Sequence, residues 1–408
     1  MHGSSRSITR LAAVVAAGVA LTLGSGAVPA QAAENDVTSF YQPPSTLPAG
    51  DGVIVKSAPM AYYTDILRWG RLPGTTTRIL YTSTDHAGAR TVVSGVVIVP
   101  TSSYSGARPI VGFAPGTHGM ADRCAPSRQA DSGTDYEAST VKSFLSAGFA
   151  VALTDYQGLG TPGRHTYMVA GDQAHALLDV VRAARQLGGY GITSSSPVGL
   201  FGYSQGGGAA AAAAEAAASY APELPVKGVV AGAVPADLAK VAAALDGSFW
   251  ALFATYGAMG LDAGYSLNTL SVFTLTGRSY VARAMDSCVL DAPGFAYTSS
   301  RYLTVDGRSM TQYLATAPWS AAVAAQRLGG VKPSMPVYVA HSMFDDTIPY
   351  AIGKQLAKDW CATGANVVFS TNYALSHVLG EGPAASEGIS FLKKRFAGSA
   401  QTSNCGAF

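Results

Sequence analysis

The sequence predicts an α/β fold in which helices flank a mostly parallel central sheet, with a helical segment inserted into it. Stretches of strand length alternate with stretches of helical periodicity, and the strands are continuously apolar. The alternation stops at residues 237–334, which are helical and aromatic with no clear strand. Because strands that are apolar throughout must be covered on both faces, we expect one α/β domain with a helical insertion of about 100 residues.

The composition fits a large folded domain and excludes several functions. The 408 residues are 48% hydrophobic and 13% charged, which allows a large core and argues against disorder. The 27 Lys and Arg nearly balance the 25 Asp and Glu, so we expect no nucleic-acid partner. No apolar run reaches the roughly 20 residues that cross a bilayer, so no stable membrane span is expected.

The first 32 residues have the features of a secretory signal peptide. Arg6 and Arg10 precede the apolar run from Leu11 to Leu23, and a small-residue cleavage site ends at Ala32. Cleavage there removes both arginines and leaves 25 basic against 25 acidic residues. The sequence therefore predicts a secreted, extracellular protein, in which disulfides can form.

The elements follow in order from a Pro-rich lead-in at residues 34–52. The predicted strands before the insertion are 77–82, 91–99, 109–113, 149–154, 197–201 and 226–234, with helices at 139–147, 172–187 and 205–219. After it come strands 336–340 and 366–370, with helices at 350–362 and 384–396. We therefore divide the chain into a first core part (33–236), a helical lid after the sixth strand (237–334), and a second core part with a C-terminal tail (335–408).

One short motif points to chemistry. The segment from Gly202 to Gly206 fits G-x-S-x-G and lies between a predicted strand and a predicted helix. Such a turn is so sharp that only small residues fit two positions before and after the serine, and it lifts the hydroxyl to the strand's end. The motif predicts Ser204 as a nucleophile, with the following helix N-terminus facing a developing oxyanion.

A serine nucleophile needs a base, which is oriented by a carboxylate. On such a fold the order is serine, acid, histidine, and only His341 and His377 follow Ser204. His377 fits as the base because an acid-bearing loop precedes it, and we expect His341 to be a packing or loop histidine. Asp345 is the expected acid, with Asp346 as the alternative.

The oxyanion hole requires two hydrogen-bond donors. One is expected to be the backbone N–H of Gln205, and the other should come from the loop after the strand that ends at Phe113. Thr117 is the first choice in that loop and Gly116 the second. His118 is expected to pack near the site rather than to act as a base.

Other chemistry finds little support in the sequence. No metal-binding pattern of the H-E-x-x-H, C-x-x-C or EF-hand type is present, so neither a metal nor another cofactor is expected. The insertion contains a dense apolar stretch that has two interpretations. It is either a core of the lid, or an acyl-chain pocket or interface-contacting lid. Its members are Phe249, Trp250, Leu252, Phe253, Tyr256, Met259 and Leu261.

Several segments together resemble the secretory lipase family of the α/β-hydrolase superfamily, typified by Candida antarctica lipase A. They are the elbow 202–207, Cys124-Ala-Pro-Ser127, the run 219–224, the acid segment 341–350 and Ser376-His377. The resemblance covers about residues 50–398 and implies ester hydrolysis by Ser204, Asp345 and His377. It implies an acyl-ester or lipid substrate at a lipid–water interface. The loop 115–119 departs from the acidic loop of the fungal enzyme, which leaves the second oxyanion donor open.

Four cysteines permit three connectivities, which the sequence alone does not decide. Joining Cys361, at a helix end, to Cys405 would tie down the C-terminal tail, and Cys124 would then meet Cys288 in the insertion. The family resemblance favours the same pairing.

The leading functional hypothesis is a secreted, monomeric carboxylic-ester hydrolase, a lipase acting through an acyl-enzyme. The alternatives are an acyltransferase that uses the same acyl-enzyme and a non-catalytic binding protein on the same fold. A peptidase is disfavoured because no acidic cluster is evident that would hold a peptide amine.

Overall fold

The computed structural model describes residues 39–408, so the predicted signal peptide at residues 1–32 lies outside the described residues. Within the described part, nine strands form one sheet in the order β1-β2-β3-β5-β4-β6-β7-β8-β9. The strands are β1 Ile54–Met60, β2 Thr75–Thr84, β3 Arg90–Val99, β4 Ile110–Ala114, β5 Ala150–Thr154, β6 Val198–Tyr203, β7 Val226–Gly232, β8 Val337–Ser342 and β9 Val367–Asn372.

Helices connect and cover these strands. In chain order they are α1 Pro126–Ser132, α2 Ala138–Ser146, α3 Ala170–Leu187, α4 Gln205–Tyr220, α5 Leu238–Leu245, α6 Ala251–Tyr265, α7 Leu275–Met285, α8 Met310–Leu314, α9 Trp319–Ala324, α10 Tyr350–Ala362 and α11 His377–Phe396. Short 3₁₀ turns lie at Asp122–Cys124, Thr269–Val272, Val289–Phe295 and Ser300–Tyr302.

The sheet is parallel from β5 to β9 and antiparallel from β1 to β5. In the register of the central strands, Phe113 lies beside Leu153 on one side and Phe201 on the other. The carboxyl ends of the parallel strands therefore meet at one edge, where loops from several strands can combine into a site. The expected mostly parallel sheet is confirmed.

Strand β1 was not predicted from the sequence, so the insertion follows the seventh strand rather than the sixth. Its residues Ile54–Met60 are exposed or half-buried and include Lys56 and Pro59. An edge strand needs apolar contacts on one side only and tolerates proline, so it lacks the apolar run that marks a central strand.

Helix α11 also differs from the prediction, because it begins at His377 rather than at residue 384. The helix passes through Gly380, Gly382 and Pro383, which are residue types of low helix propensity. The Ser376 hydroxyl caps it by accepting the N–H of Leu379 at 3.3 Å. Tertiary packing overrides the weak local propensity, and as a result His377 lies in the first helical turn.

Both faces of the sheet carry an apolar core, as continuously apolar strands require. Helices α3, α4 and α10 pack on one face, where Trp360 is fully buried. Helices α2 and α11 pack on the other, where Phe113, Phe144 and Phe201 have ring centroids 4.7–5.9 Å apart. Within residues 39–408, no helix combines the length and the apolar character needed to cross a membrane.

Helix α4 lies unusually close to the sheet. A Cβ on Gly207 would stand 2.0 Å from the carbonyl oxygen of Gly232, so only glycine allows this approach. The alanines that follow are almost all buried, and their small side chains keep the helix near the strands. This tight contact fixes the start of α4, which immediately follows Ser204.

Two disulfides are present, with the expected pairing Cys124–Cys288 and Cys361–Cys405. The first joins the segment after β4 to the insertion. Backbone hydrogen bonds reinforce it, from Met120 N–H to the Ser287 carbonyl at 3.1 Å and from Val289 N–H to the His118 carbonyl at 2.8 Å. The insertion is therefore anchored beside the loop that follows β4.

Candidate active site

Ser204 occupies a strained turn between β6 and α4. Its φ of 60° and ψ of −121° fall where non-glycine residues are rare. The turn requires glycine on both sides. A Cβ on Gly202 would stand 2.0 Å from the Gly206 carbonyl oxygen, and one on Gly206 would stand 1.9 Å from that of Ala114. The sequence spacing thus produces the sharp turn expected of the motif, with the hydroxyl at the sheet edge.

The structure brings His377 between Ser204 and Asp345. Its Nε2 lies 2.8 Å from Ser204 Oγ, and its Nδ1 lies 2.7 Å from Asp345 Oδ2. A carboxylate can only accept, so Nδ1 carries the proton and donates to Asp345. Nε2 of the neutral ring then accepts the hydrogen bond from the serine hydroxyl, which is the arrangement that lets an imidazole take the serine proton.

Asp345 is held as an ionised carboxylate. Its Oδ1 accepts the N–H groups of Thr347 at 2.9 Å and Ile348 at 2.7 Å. Burial of the side chain raises its pKa, but hydrogen bonds from His341 and His377 outweigh that effect and hold the pKa of Asp345 well below its usual range. The acid therefore remains charged and able to orient His377.

His341 lies beside Asp345. It is fully buried, and its Nε2 lies 3.0 Å from the Ile348 carbonyl oxygen and 3.3 Å from Asp345 Oδ2. Among the described residues, its polar contacts are with Ile348 and Asp345, not with Ser204. This placement agrees with its expected role as a packing histidine and adds a contact to the acid that the sequence did not reveal.

Asp346 contacts the histidine from a different direction. Its Oδ1 accepts the backbone N–H of His377 at 2.8 Å, and its Oδ2 faces the indole N–H of Trp250 at 3.3 Å. It therefore holds the first N–H of α11, where a negative charge is favourable. From the sequence, Asp346 was expected only as an alternative acid, and no motif indicated this contact.

The loop after β4 is held in place by hydrogen bonds. The Gly116 N–H donates to Glu137 Oε2 at 2.9 Å, and the Tyr156 hydroxyl donates to the Pro115 carbonyl at 2.7 Å. Thr117 Oγ1 pairs with the Tyr167 hydroxyl at 2.7 Å. Within residues 39–408, the Thr117 N–H has no hydrogen-bond acceptor. Of the two donors considered in this loop, Gly116 is thus already engaged by Glu137.

Glu137 belongs to a buried acidic group that no motif in the sequence indicated. Burial, followed by the neighbouring carboxyls of Glu381 and Asp135, raises the pKa of Glu137 well above its usual range. His118 lies 3.1 Å from Asp135 Oδ1 and 3.0 Å from the Gly116 carbonyl oxygen. The ligand atoms of His118, Asp135 and Glu137 lie within 4.8 Å of one another. Their hydrogen bonds to each other and to the loop account for this arrangement.

Two cavities meet at Ser204. The wide cavity has a volume of about 340 Å³ and is bounded by His377, by the loop 116–117 and by residues of the insertion. Those insertion residues are Phe249, Trp250, Phe253, Val289, Leu290 and Pro293. The narrow cavity, about 50 Å³, runs from Ser204 and Gln205 between α5 and α6 and is lined mainly by aliphatic side chains.

Some members of the dense apolar stretch of the insertion line these cavities, and others are buried in the insertion. Phe249, Trp250 and Phe253 line the wide cavity, and Phe253 also lines the narrow one together with Leu261. Leu252, Tyr256 and Met259 are buried in the cores of the insertion. Some members of the stretch therefore form cores of the insertion, and others line the cavities at Ser204.

Comparison with known proteins identifies the family. Residues 125–404 match the family described as Secretory lipase. The chain is 26% identical over 322 residues to the secreted triacylglycerol lipase LIP5 of Malassezia furfur, covering 74% of this chain and 82% of that protein. It is 27% identical over 385 residues to the probable inactive lipase MT1628 of Mycobacterium tuberculosis, covering 88% and 82%.

Solved structures share the fold. Candida antarctica lipase A in its closed state superposes with a TM-score of 0.78 at 23% identity, covering 90% of this chain and 87% of that one. The rice cell wall degrading esterase LipA from Xanthomonas oryzae gives 0.69 at 19% identity, covering 86% and 100%. The α/β-hydrolase fold is thereby confirmed. With the family match extending over more than half of its length, the chain belongs to the secretory lipase family.

Proposed function

We propose that this protein is a secreted lipase that hydrolyses carboxylic esters through a serine-linked acyl-enzyme. The observation that carries the proposal is the continuous hydrogen-bond chain from Ser204 through His377 to Asp345. The strained φ of Ser204 supports it, because such strain is retained mainly where function requires it. A non-catalytic protein would have no need of this geometry.

In the first step, Ser204 Oγ attacks the ester carbonyl carbon while its proton moves to His377 Nε2. Asp345 stabilises the imidazolium that forms. Its lowered pKa keeps it charged throughout, so it orients the ring without taking the proton. The ester carbonyl oxygen becomes an oxyanion, for which the N–H groups of Gln205 and Thr117 are the proposed donors.

In the second step, the tetrahedral intermediate collapses and the C–O bond to the alcohol breaks. His377 gives its proton to the departing alkoxide, which leaves as an alcohol, and the acyl group stays on Ser204. A water molecule then attacks the acyl-enzyme, again losing its proton to His377. As the bond between the acyl carbon and Ser204 Oγ breaks, His377 returns this proton to Oγ, and the carboxylic acid leaves.

The two cavities suggest how the ester is divided. The narrow aliphatic cavity between α5 and α6 suits a linear acyl chain, and the wide cavity suits the alcohol portion. Since residues of the insertion line both cavities, we propose that residues 237–334 act as a lid that shapes the substrate site. The Cys124–Cys288 disulfide would hold this lid next to residues 115–119, which we call the oxyanion loop.

The proposal can be tested with nitrophenyl esters of short and long acyl chains. The purified protein should release nitrophenol from both, and Ser204→Ala should lose nearly all of this activity. Adding a primary alcohol as a competing acceptor distinguishes hydrolysis from transfer. Predominant formation of the new ester in dilute aqueous alcohol would favour the acyltransferase alternative, and the absence of any turnover would favour the binding-protein alternative.

A further inference from the structure

A surface loop away from the residues of the proposed triad presents an unusual cluster of exposed apolar side chains. We call residues 63–71, between β1 and β2, the Trp69 loop. Trp69 is 85% exposed, Ile66 is 71% exposed and Leu67 is 58% exposed. Single exposed apolar residues are common, but three within four positions, one of them tryptophan, form a patch of the kind that marks an interaction site.

Hydrogen bonds within the Trp69 loop keep its apolar side chains exposed. A backbone bridge between Tyr63 and Arg71 closes it. Inside, the Asp65 carboxylate accepts the N–H of Trp69 at 3.2 Å and that of Gly70 at 2.6 Å. These backbone hydrogen bonds lower the pKa of Asp65, so the carboxylate stays charged. The apolar side chains are therefore displayed by an internally hydrogen-bonded turn.

The loop carries cationic charge beside its apolar tip. Arg68 and Arg71 are both exposed, and each guanidinium lies 5.1 Å from the ring centroid of Tyr63. Among the described residues, neither forms a salt bridge, and the Asp65 carboxylate is directed to backbone N–H groups. Two arginines against one aspartate leave the loop net positive, in a chain whose overall charge is nearly balanced.

The loop is tied to the wall of the wide cavity. Gly133, at the end of α1, packs against Asp65 so closely that a Cβ there would stand 2.0 Å from the Asp65 carbonyl oxygen. The chain then leads directly to Tyr136, which lines the wide cavity. A surface bound by the Trp69 loop would therefore lie next to the segment that also lines the wide cavity.

We propose that the Trp69 loop anchors the protein to a lipid–water interface that carries anionic headgroups. Tryptophan is favoured at such interfaces, leucine and isoleucine enter the acyl boundary, and flanking arginines are attracted by anionic lipids. A second protein or a second copy would more commonly require a flat, wider apolar face than a projecting turn. The anchoring goes beyond the proposed ester chemistry and does not depend on Ser204.

Binding to vesicles of diether phospholipids tests the proposal, because ether lipids contain no ester to hydrolyse. The full protein is sedimented with vesicles of phosphatidylglycerol or of phosphatidylcholine. Trp69→Ser should lower the partition coefficient on phosphatidylglycerol about tenfold. Arg68→Gln and Arg71→Gln should each lower it about fivefold on phosphatidylglycerol, with little change on phosphatidylcholine.

Tyr190→Ser is the matched control, since Tyr190 is also an exposed aromatic residue (52%) but lies on the loop between α3 and β6, outside the Trp69 loop and the insertion. It should leave vesicle binding unchanged, and all four variants should turn over a soluble short-chain ester at the wild-type rate. Equal binding by Trp69→Ser and wild type would overturn the proposal. The proposal would also be overturned if light scattering showed a concentration-dependent dimer that Trp69→Ser abolishes, while the same variant still bound vesicles. Failure of ester turnover in the wild type would instead refute the proposed function and leave this result intact.

Discussion

The carboxylate of Asp346 lies between the insertion and the backbone of the candidate base, accepting the indole N–H of Trp250 at 3.3 Å. Its other oxygen accepts the His377 N–H at 2.8 Å. Trp250 stacks on Phe253 with ring centroids 5.4 Å apart, and both rings line the wide cavity. A movement of Trp250 and Phe253 can therefore change the position of His377 through the side chain of Asp346.

The first prediction concerns this connection. Asp346→Asn replaces one acceptor oxygen by an amide N–H₂, so one of the two N–H donors loses its partner, and kcat on a soluble ester should fall about five- to tenfold. Trp250→Phe keeps an aromatic ring but removes the indole donor and should give a smaller decrease.

The double variant distinguishes coupling from independent effects. If Asp346 transmits the position of Trp250 to His377, the decrease in kcat should be less than the product of the two single decreases. Strictly multiplicative effects in Asp346→Asn, Trp250→Phe and the double variant would contradict the connection.

The contrast between Asp345 and Asp346 shows where sequence reasoning reached its limit. Both acids follow β8 directly, and nothing in their spacing decides which one meets Nδ1 of His377. The loop path decides it, because the N–H groups of Thr347 and Ile348 fix the Asp345 carboxylate. The elbow at Ser204 could be predicted because its geometry depends on five consecutive residues.

The second prediction concerns pH and His165, which is buried beside the Gln205 side chain with its Nε2 at 3.3 Å from the amide nitrogen. Burial lowers the pKa of His165 to about 4, although a hydrogen bond to the Gln157 carbonyl opposes the shift. The unfolded chain should protonate near pH 6.5. Because the fold keeps this ring neutral, His165 contributes its full share to the free energy of unfolding above pH 6.5. That contribution is lost as the pH falls towards 4.

Denaturant unfolding at pH 7.5 and pH 4.5 measures this contribution. Between these values the free energy of unfolding of the wild type should decrease by about 2 to 3 kcal/mol more than that of His165→Gln, whose amide does not titrate. Equal pH dependence in both proteins would show that His165 is not held neutral by the fold.

The third prediction tests the division of the substrate between the cavities. Phe253 lines both cavities, whereas Phe249 lines the wide one. Phe253→Ala should lower kcat/KM for long-chain esters about tenfold relative to short-chain esters. The truncation enlarges the narrow cavity and so removes contacts along the acyl chain. Phe249→Ala is the matched control and should leave that ratio near the wild-type value. A changed ratio in Phe249→Ala alone would place the acyl chain in the wide cavity.

The fourth prediction compares the two disulfides. Cys361 and Cys405 are 44 residues apart, so replacing both by serine should lower the free energy of unfolding by about 4 kcal/mol while the active protein keeps its kcat. Replacing Cys124 and Cys288 should also lower kcat, since that bond holds the segment beside the oxyanion loop. Unfolding curves and ester turnover, measured on the same preparations, separate the outcomes. Full activity without the Cys124–Cys288 bond would mean that the oxyanion loop is positioned independently of the insertion.

Other parts of the site depend on distant packing and could not be read from local patterns. The engagement of the Gly116 N–H by Glu137 joins residues on separate segments, and neither carries a motif. The early start of α11 depends on the Ser376 cap and on the absence of a side chain at Gly380, where an added Cβ would stand 2.4 Å from the Tyr203 hydroxyl. Periodicity predicted the central strands well, because a buried parallel strand imposes its own apolar run.

Covalent labelling with a fluorophosphonate shows whether Ser204 is the activated nucleophile, because this reagent traps a serine only when a neighbouring base activates it. After digestion and mass spectrometry, we expect a single modified peptide with the phosphonate on Ser204, no labelling of Ser204→Ala, and strongly reduced labelling of His377→Ala but not of His341→Gln. Labelling at another serine, or undiminished labelling of His377→Ala, would contradict this assignment.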